Sequence, residues 1–557
     1  MTFLSNADRK PGILMVLFLF PTYTLCTSIP DSDRSEASVF KTYLFENVTA
    51  TEDVFPPLPG IFQSKWIQYF PHIQSMKGHF EGMNTLPPQP MITSARKTII
   101  SIPKKIYKLN DIFKAKIEAM DFRGNPKKYG GDFFRVGLYK PFRDTDGVSC
   151  GVVDNLIGTY DISCPLVWVG NGVLKVTLIH PSESLYGLML NSSGTKELGV
   201  SLRATVKING QEELTDCAFG FPGKSKYGVC DYSNSKNGDP WYCMKPKSNQ
   251  CSTNLWITRY LDSDKNQKLG KRPYFRKGIT WRVKIMQPNL TVQIQDGGSR
   301  PRFASELPRC SELKQVVLNK DPSVATGLAI NAGWSSFICR NHPFDEDKFA
   351  NCLQNHEIIL TGDSTMKQWY RYLISAFGAE TYGLGGTDSS WAERRIGHQR
   401  KNNITLRFFP HGPPSHHPGL SEVRPYISDT LDEIPSDRDN IIFIFSIGLH
   451  MNLFHPDIYL QRIRNIRASV ENLHRRSPNI KIFVRELHAH SQSTILCPSD
   501  WFSYRYNVLL RQVFENVDGV TYLPFWDMSA VYNNRPYHPG ARLLKLQLGL
   551  LQSFVCK

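Results

Sequence analysis

From about residue 91 to 300 apolar and polar positions alternate along the chain. "RKTIISIPKKIYKL", "DFFRVGLYK", "VLKVTLIH" (173–180), "VSLRATVKI" (200–208) and "TWRVKIM" (280–286) each place every second side chain on one face. That is the period of a half-buried strand. Turn residues separate the runs, as "GG" at 130–131, "GNG" at 170–172 and "NSSGT" at 191–195. Short strands at such spacing predict an antiparallel sandwich over 91–300. Beyond residue 301 the pattern changes. Short unbroken apolar runs now appear: "HEIIL" (356–360), "ITLRFF" (404–409), "IIFIFSI" (441–447), "KIFVREL" (481–487) and "VTYLPF" (520–525). Segments with helical spacing lie among them, at Thr365–Phe377, Pro456–Arg475 and Asp500–Asn516. Strands buried on both faces read as such unbroken runs. Residues 301–557 therefore predict a doubly wound α/β domain, with ligands beyond the C-terminal ends of its strands.

The N-terminus has a different texture. Arg9 and Lys10 precede an apolar run from Ile13 to Phe20, and small residues follow at Cys26, Thr27 and Ser28. Residues 1–28 thus have the layout of a secretory signal. The strongly apolar part is shorter than the about 20 residues of a full span, which leaves an uncleaved anchor as the alternative membrane attachment. Residues 29–90 carry "VFPPLPG" (54–60) and "TLPPQP" (85–90) and read as a linker, since those prolines continue neither helix nor strand.

Composition narrows the compartment. Asn47, Asn191, Asn289 and Asn403 each begin an Asn-X-Ser/Thr glycosylation tripeptide. The chain has 12 cysteines but no Cys-x2-Cys pair, which favours disulfides over a metal site. Six of them (150, 164, 217, 230, 243, 251) lie in the β region and make an even set; the five at 310, 339, 352, 497 and 556 make an odd one. The expected location is outside the cell or in the Golgi or ER lumen. There the net charge of +16 suits anionic glycans, not nucleic acid, although ordinary surface solvation accounts for it equally well.

The chemistry gathers at the strand ends. "LTGDSTMKQW" turns at Gly362-Asp363-Ser364 directly after the first apolar run. Two readings apply to Ser364: a helix cap, or a nucleophile presented at a strand-to-helix turn. A nucleophile needs a base. His538 follows the last strand, and Asp527, just after "VTYLPF", is placed to orient it. Backbone donors for an oxyanion are offered by Gly362 and Asp363, by Gly385 and Gly386 in "TYGLGG", and by Gly448 with His450 in "SIGLHMN". His488 and His490 fall on one face of an extended segment, but a metal site needs a third fixed ligand, so none is expected.

These blocks resemble the PC-esterase branch of the GDSL/SGNH hydrolases: a Gly-Asp-Ser block, a central Gly-x-His block and a late Asp/His block. The cysteine-rich region with "DPWYCMKPKSNQC" (239–251) resembles a neurexophilin domain. Together the two resemble the neurexophilin and PC-esterase domain (NXPE) family. The resemblance implies an α/β SGNH-like domain preceded by an all-β, Ig-like sandwich. It also implies a serine O-acetyltransferase or acetyl-esterase acting on sialic acid or other sugar hydroxyls. Such an enzyme has no bound cofactor; its acyl donor would be acetyl-CoA and its partner a glycan acceptor. One departure separates two functions. The branch writes its late block Asp-x-x-His, whereas Arg535 stands three residues before His538. The alternative is a secreted glycoprotein with a decayed catalytic domain that binds a cell-surface adhesion protein through its neurexophilin-like half.

Overall fold

A computed structural model describes residues 89–185, 200–219, 228–234, 236–237, 241–252, 255–261, 282–297, 307–383, 394–411, 425–453, 456–490 and 500–557. The proposed signal, nearly all of the linker, and Cys26, Asn47, Asn191, Gly385, Gly386 and Cys497 lie outside these residues.

The C-terminal half is built on a seven-stranded sheet. Its strands are β1 (Glu357–Gly362), β2 (Glu380–Gly383), β3 (Arg395–Gln399), β4 (Ile404–Pro410), β5 (Ile441–Phe445), β6 (Lys481–Arg485) and β7 (Val520–Leu523). Their spatial order is β2-β3-β4-β1-β5-β6-β7. From β4 to β7 all pairings are parallel, while β2 and β3 add an antiparallel edge. The helices are α1 (Glu346–Cys352), α2 (Ser364–Phe377), α3 (Ile427–Asp432), α4 (Pro456–Arg476), α5 (Asp500–Val513), α6 (Trp526–Val531) and α7 (Ala541–Val555). Alternate strand residues enter opposite cores. Ile359, Ile441, Phe443 and Phe445 pack with α4 and α5. Ile358, Leu360, Ile442 and Ile444 pack with α2 and α7. Burial on both faces explains the unbroken apolar runs.

The N-terminal half corrects the expected single sandwich. A four-stranded sheet (Ile99–Ser101, Ile112–Glu118, Thr159–Pro165, Gly151–Asp154) shares a core with an eight-stranded sheet. A third sheet of five antiparallel strands, within 200–261, stands apart. Its Ala204, Val206, Ile208, Trp241 and Cys243 join the buried cluster of α3, α4 and α5.

The expected boundary at residue 300 also moves. The hairpin Gly327–Ile330 and Gly333–Ser336 belongs to the eight-stranded sheet, through Ala329 opposite Gly147. Main-chain pairing, not composition, decides which half a strand joins, and this short pair carries no long apolar run.

Five disulfides close within the described residues. Cys150–Cys164, Cys217–Cys243 and Cys230–Cys251 pair the six cysteines of the β region among themselves. Cys310–Cys339 and Cys352–Cys556 follow, the latter tying the end of α1 to the residue after α7. No helix of the described residues is long and apolar enough to cross a membrane.

Candidate active site

Strand β1 is central, with β4 on one side and β5 on the other, so its end is fixed from both flanks. Gly362 leaves it at φ +155°, a left-handed conformation that favours glycine. A Cβ there would sit 2.6 Å from the Ser446 carbonyl and 2.5 Å from Met366 Cγ. Asp363 is the helix cap: its Oδ1 accepts from Thr365 N at 2.8 Å and from Thr365 Oγ1 at 2.7 Å. Ser364 is thereby released from capping and becomes the first residue of α2. Its Oγ lies 2.7 Å from His538 Nε2, within proton-transfer reach.

The ring of His538 is half-buried between Ser364 and Tyr537, whose ring meets it edge-on at 5.7 Å. Burial holds the imidazole below its ordinary range, and the Asp363 carboxylate opposes that shift. Burial thus favours the neutral ring, the form able to accept a proton from Ser364 Oγ. Ser364 also heads a 14-residue helix, whose N-terminal amides and dipole favour negative charge nearby.

Asp527 is placed differently from expectation. Its Oδ2 accepts from Thr326 N at 2.6 Å, and both oxygens lie 3.0 Å from Thr326 Oγ1. It is fully buried and pairs with Thr326, not with His538. Thr326 immediately precedes the hairpin that joins the N-terminal sheet, so Asp527 tethers the two halves of the chain. The carboxylate that acts electrostatically on His538 is Asp363. Asp363 is fully buried, and its Oδ2 makes no hydrogen bond among the described residues.

Of the remaining residues singled out, Gly448 turns at φ +147°, where a Cβ would lie 2.3 Å from Leu487 Cδ1. His450 is buried and its ring packs 5.0 Å from that of His411, whose backbone N–H donates to the Gly362 carbonyl at 3.0 Å. The backbone of His411 thus borders the turn before Ser364. Asn289 and Asn403 are exposed, each with a positive φ. Among the described residues no group of three or more His, Cys, Asp or Glu is arranged to hold a metal.

Arg485, at the end of β6, was not legible as a site residue. It is fully buried. Its guanidinium donates to Thr365 Oγ1 (3.1 Å), Ser446 Oγ (3.4 Å) and Gln547 Oε1 (3.3 Å), and it lies over the Trp369 ring at 5.0 Å. Burial lowers its pKa to about 10, opposed by the charge of Asp363, so it stays cationic at neutral pH. A cation thus sits beneath the turn, bonded to the residue after the serine. In the sequence an arginine ending an apolar strand gives no sign of this.

Residues 334–556 match the family model "NXPE family member 4-like, C-terminal domain", and residues 90–267 match the neurexophilin model. Similar solved structures include FdeC, a broadly conserved Escherichia coli adhesin. Its identity to the chain is 12%, over 36% of this chain and 65% of that one, with a TM-score of 0.14. Another is invasin, a bacterial integrin-binding protein, at 11% identity over 57% of this chain and 60% of that one, with a TM-score of 0.13. The chain thus spans less than two thirds of either structure, and likenesses at these scores carry no argument here. The two family models follow one another along the chain, and by them it belongs to the NXPE family.

Proposed function

We propose that this protein is a lumenal or secreted serine acyltransferase or esterase of the SGNH type, acting on sugar hydroxyls. The observation that carries the reading is the 2.7 Å approach of Ser364 Oγ to His538 Nε2 at the C-terminal rim of a parallel sheet. Ser364 Oγ attacks the carbonyl of an acetyl thioester in the transferase reaction, or of an acetylated sugar in the esterase reaction. His538 Nε2 takes the hydroxyl proton and returns it to the departing thiol or sugar hydroxyl as the acyl–sulfur or acyl–oxygen bond breaks. A sugar hydroxyl, or water in the esterase reaction, then attacks the acetyl-serine. His538 accepts its proton and gives it back to Ser364 as the acyl–oxygen bond breaks. The site is a serine–histidine dyad with Asp363 as its nearest electrostatic support, and Asp527 takes no part.

The test is transfer or hydrolysis of an activated acetyl donor, with mass spectrometry of the Ser364 peptide. An acetyl adduct on Ser364 is expected. Ser364→Ala and His538→Ala should each lower the rate by about 10³-fold or more while folding is retained. Full activity in Ser364→Ala would leave the neurexophilin-like half, and binding of an adhesion protein, as the function.

A further inference from the structure

His538 stands on the loop between α6 and α7, and one bond and one charge do not fix a loop. Gln368 of α2 donates its Nε2–H to the Pro539 carbonyl at 3.3 Å, and the remaining contacts on this stretch come from the segment after β6. His488 is fully buried there, and its Nε2 donates to the Tyr537 carbonyl at 2.7 Å. That carbonyl belongs to the peptide joining Tyr537 to His538, so the bond acts on the backbone of the base itself. The next histidine, also fully buried, packs its ring edge-on to Tyr537 at 5.1 Å. Asn534 Nδ2 reaches the Ala489 carbonyl at 2.9 Å and the Pro536 carbonyl at 2.9 Å, and Ala489 N donates to Ser529 Oγ at 2.7 Å. The segment is in turn clamped from the N-terminal half, where Arg282 Nη2 donates to the His490 carbonyl at 3.1 Å.

We propose that His488 is a positioning residue: its Nε2–H holds the Tyr537 carbonyl and so sets the approach of His538 to Ser364. The proposal rests on the serine–histidine reading above. The tautomer follows from the partner, because a carbonyl only accepts, so Nε2 must carry the proton. A neutral ring is also what this site favours. Burial pushes the His488 imidazole well below its usual range, and the Arg485 charge adds to the shift. The donor is therefore constant across the pH range in which His538 works. A buried cation here would repel the imidazolium that forms on His538 during catalysis.

The probe is a fluorophosphonate, which needs no knowledge of the natural substrate. Ser364 Oγ forms the new bond to phosphorus, fluoride leaves, and the serine proton passes to His538. The full chain is labelled over pH 5–9, with folding checked by near-UV circular dichroism. His488→Leu should slow labelling by about 10²-fold, the loss typical of a reacting group displaced by about 1 Å. It should also erase the dependence of rate on the His538 titration. His488→Gln places an amide N–H where Nε2 stood and should recover much of the rate and the pH dependence.

The proposal is overturned if folded His488→Leu labels like wild type, or if Gln and Leu lose rate equally with the pH profile unmoved. If His488→Leu fails to fold, the Gln variant decides: a wild-type profile supports the hydrogen bond, and a flattened one overturns it. A wild-type chain whose Ser364 is not labelled overturns the serine-nucleophile reading and this proposal with it.

Discussion

A carboxylate buried as completely as that of Asp527 should keep its proton to near neutrality. Burial raises its pKa from 3.8 to about 7, against the hydrogen bonds from Thr326. The unfolded chain loses this proton near 3.8, and the folded chain loses it near 7. Between those values the folded state binds more protons, so this group's contribution to stability falls as pH rises through the window. Asp527→Asn removes the ionisation and keeps an acceptor for Thr326 N. Relative to wild type the variant should gain roughly 1–3 kcal/mol between pH 4.5 and 7.5, seen by denaturant unfolding at both. Its acyl transfer should match that of wild type, because Asp527 does not touch His538. A large loss of activity would return it to the site.

At the scale of elements, the turn between β1 and α2 presents Ser364, on which the proposed chemistry rests. Gly362→Ala meets the Ser446 carbonyl, which belongs to the backbone of β5's exit and has little room to yield. The substitution should destabilise by about 1–3 kcal/mol and slow labelling of Ser364, measured by thermal unfolding and by probe kinetics. Much at this scale was readable in advance. The runs at 404–409 and 441–447 became strands Ile404–Pro410 and Ile441–Phe445, and the segment at 456–475 became a helix of the same start. Their burial leaves a continuous apolar signal that survives without tertiary context. What escaped depends on long-range contacts. The leucine-rich tail is α7, whose Gln547 takes hydrogen bonds from Trp369 and Arg485. His488 looked like one member of a weak histidine pair because its partner is a backbone carbonyl, which no side-chain pattern records. Chain order alone pairs Asp527 with His538, whereas Thr326, 201 residues away, holds it.

Across the whole molecule, charged contacts join the two halves. Asp500, fully buried at the start of α5, receives Arg135 of the N-terminal sheet at 3.1 Å, with Arg282 at 3.7 Å. Arg135→Ala leaves that carboxylate without its close partner. Breaking a buried pair in this way typically costs about 3–5 kcal/mol, so calorimetry should show a markedly lower transition. Both halves should shift together, because Thr326–Asp527 and Tyr139–Val531 also cross between them. An unchanged transition would mean that Arg282 alone satisfies Asp500.

The hairpin at 327–336 follows the end of the neurexophilin match at 267, and the second match begins inside it, at 334. A gene fusion that exchanged the two matched regions among relatives would therefore cut through a pair of hydrogen-bonded strands. The recipient sheet would then end in a strand from another lineage, or in a bare edge open to aggregation. Two family matches follow one another along this chain, but the strands near 334 pair across the place where the second begins.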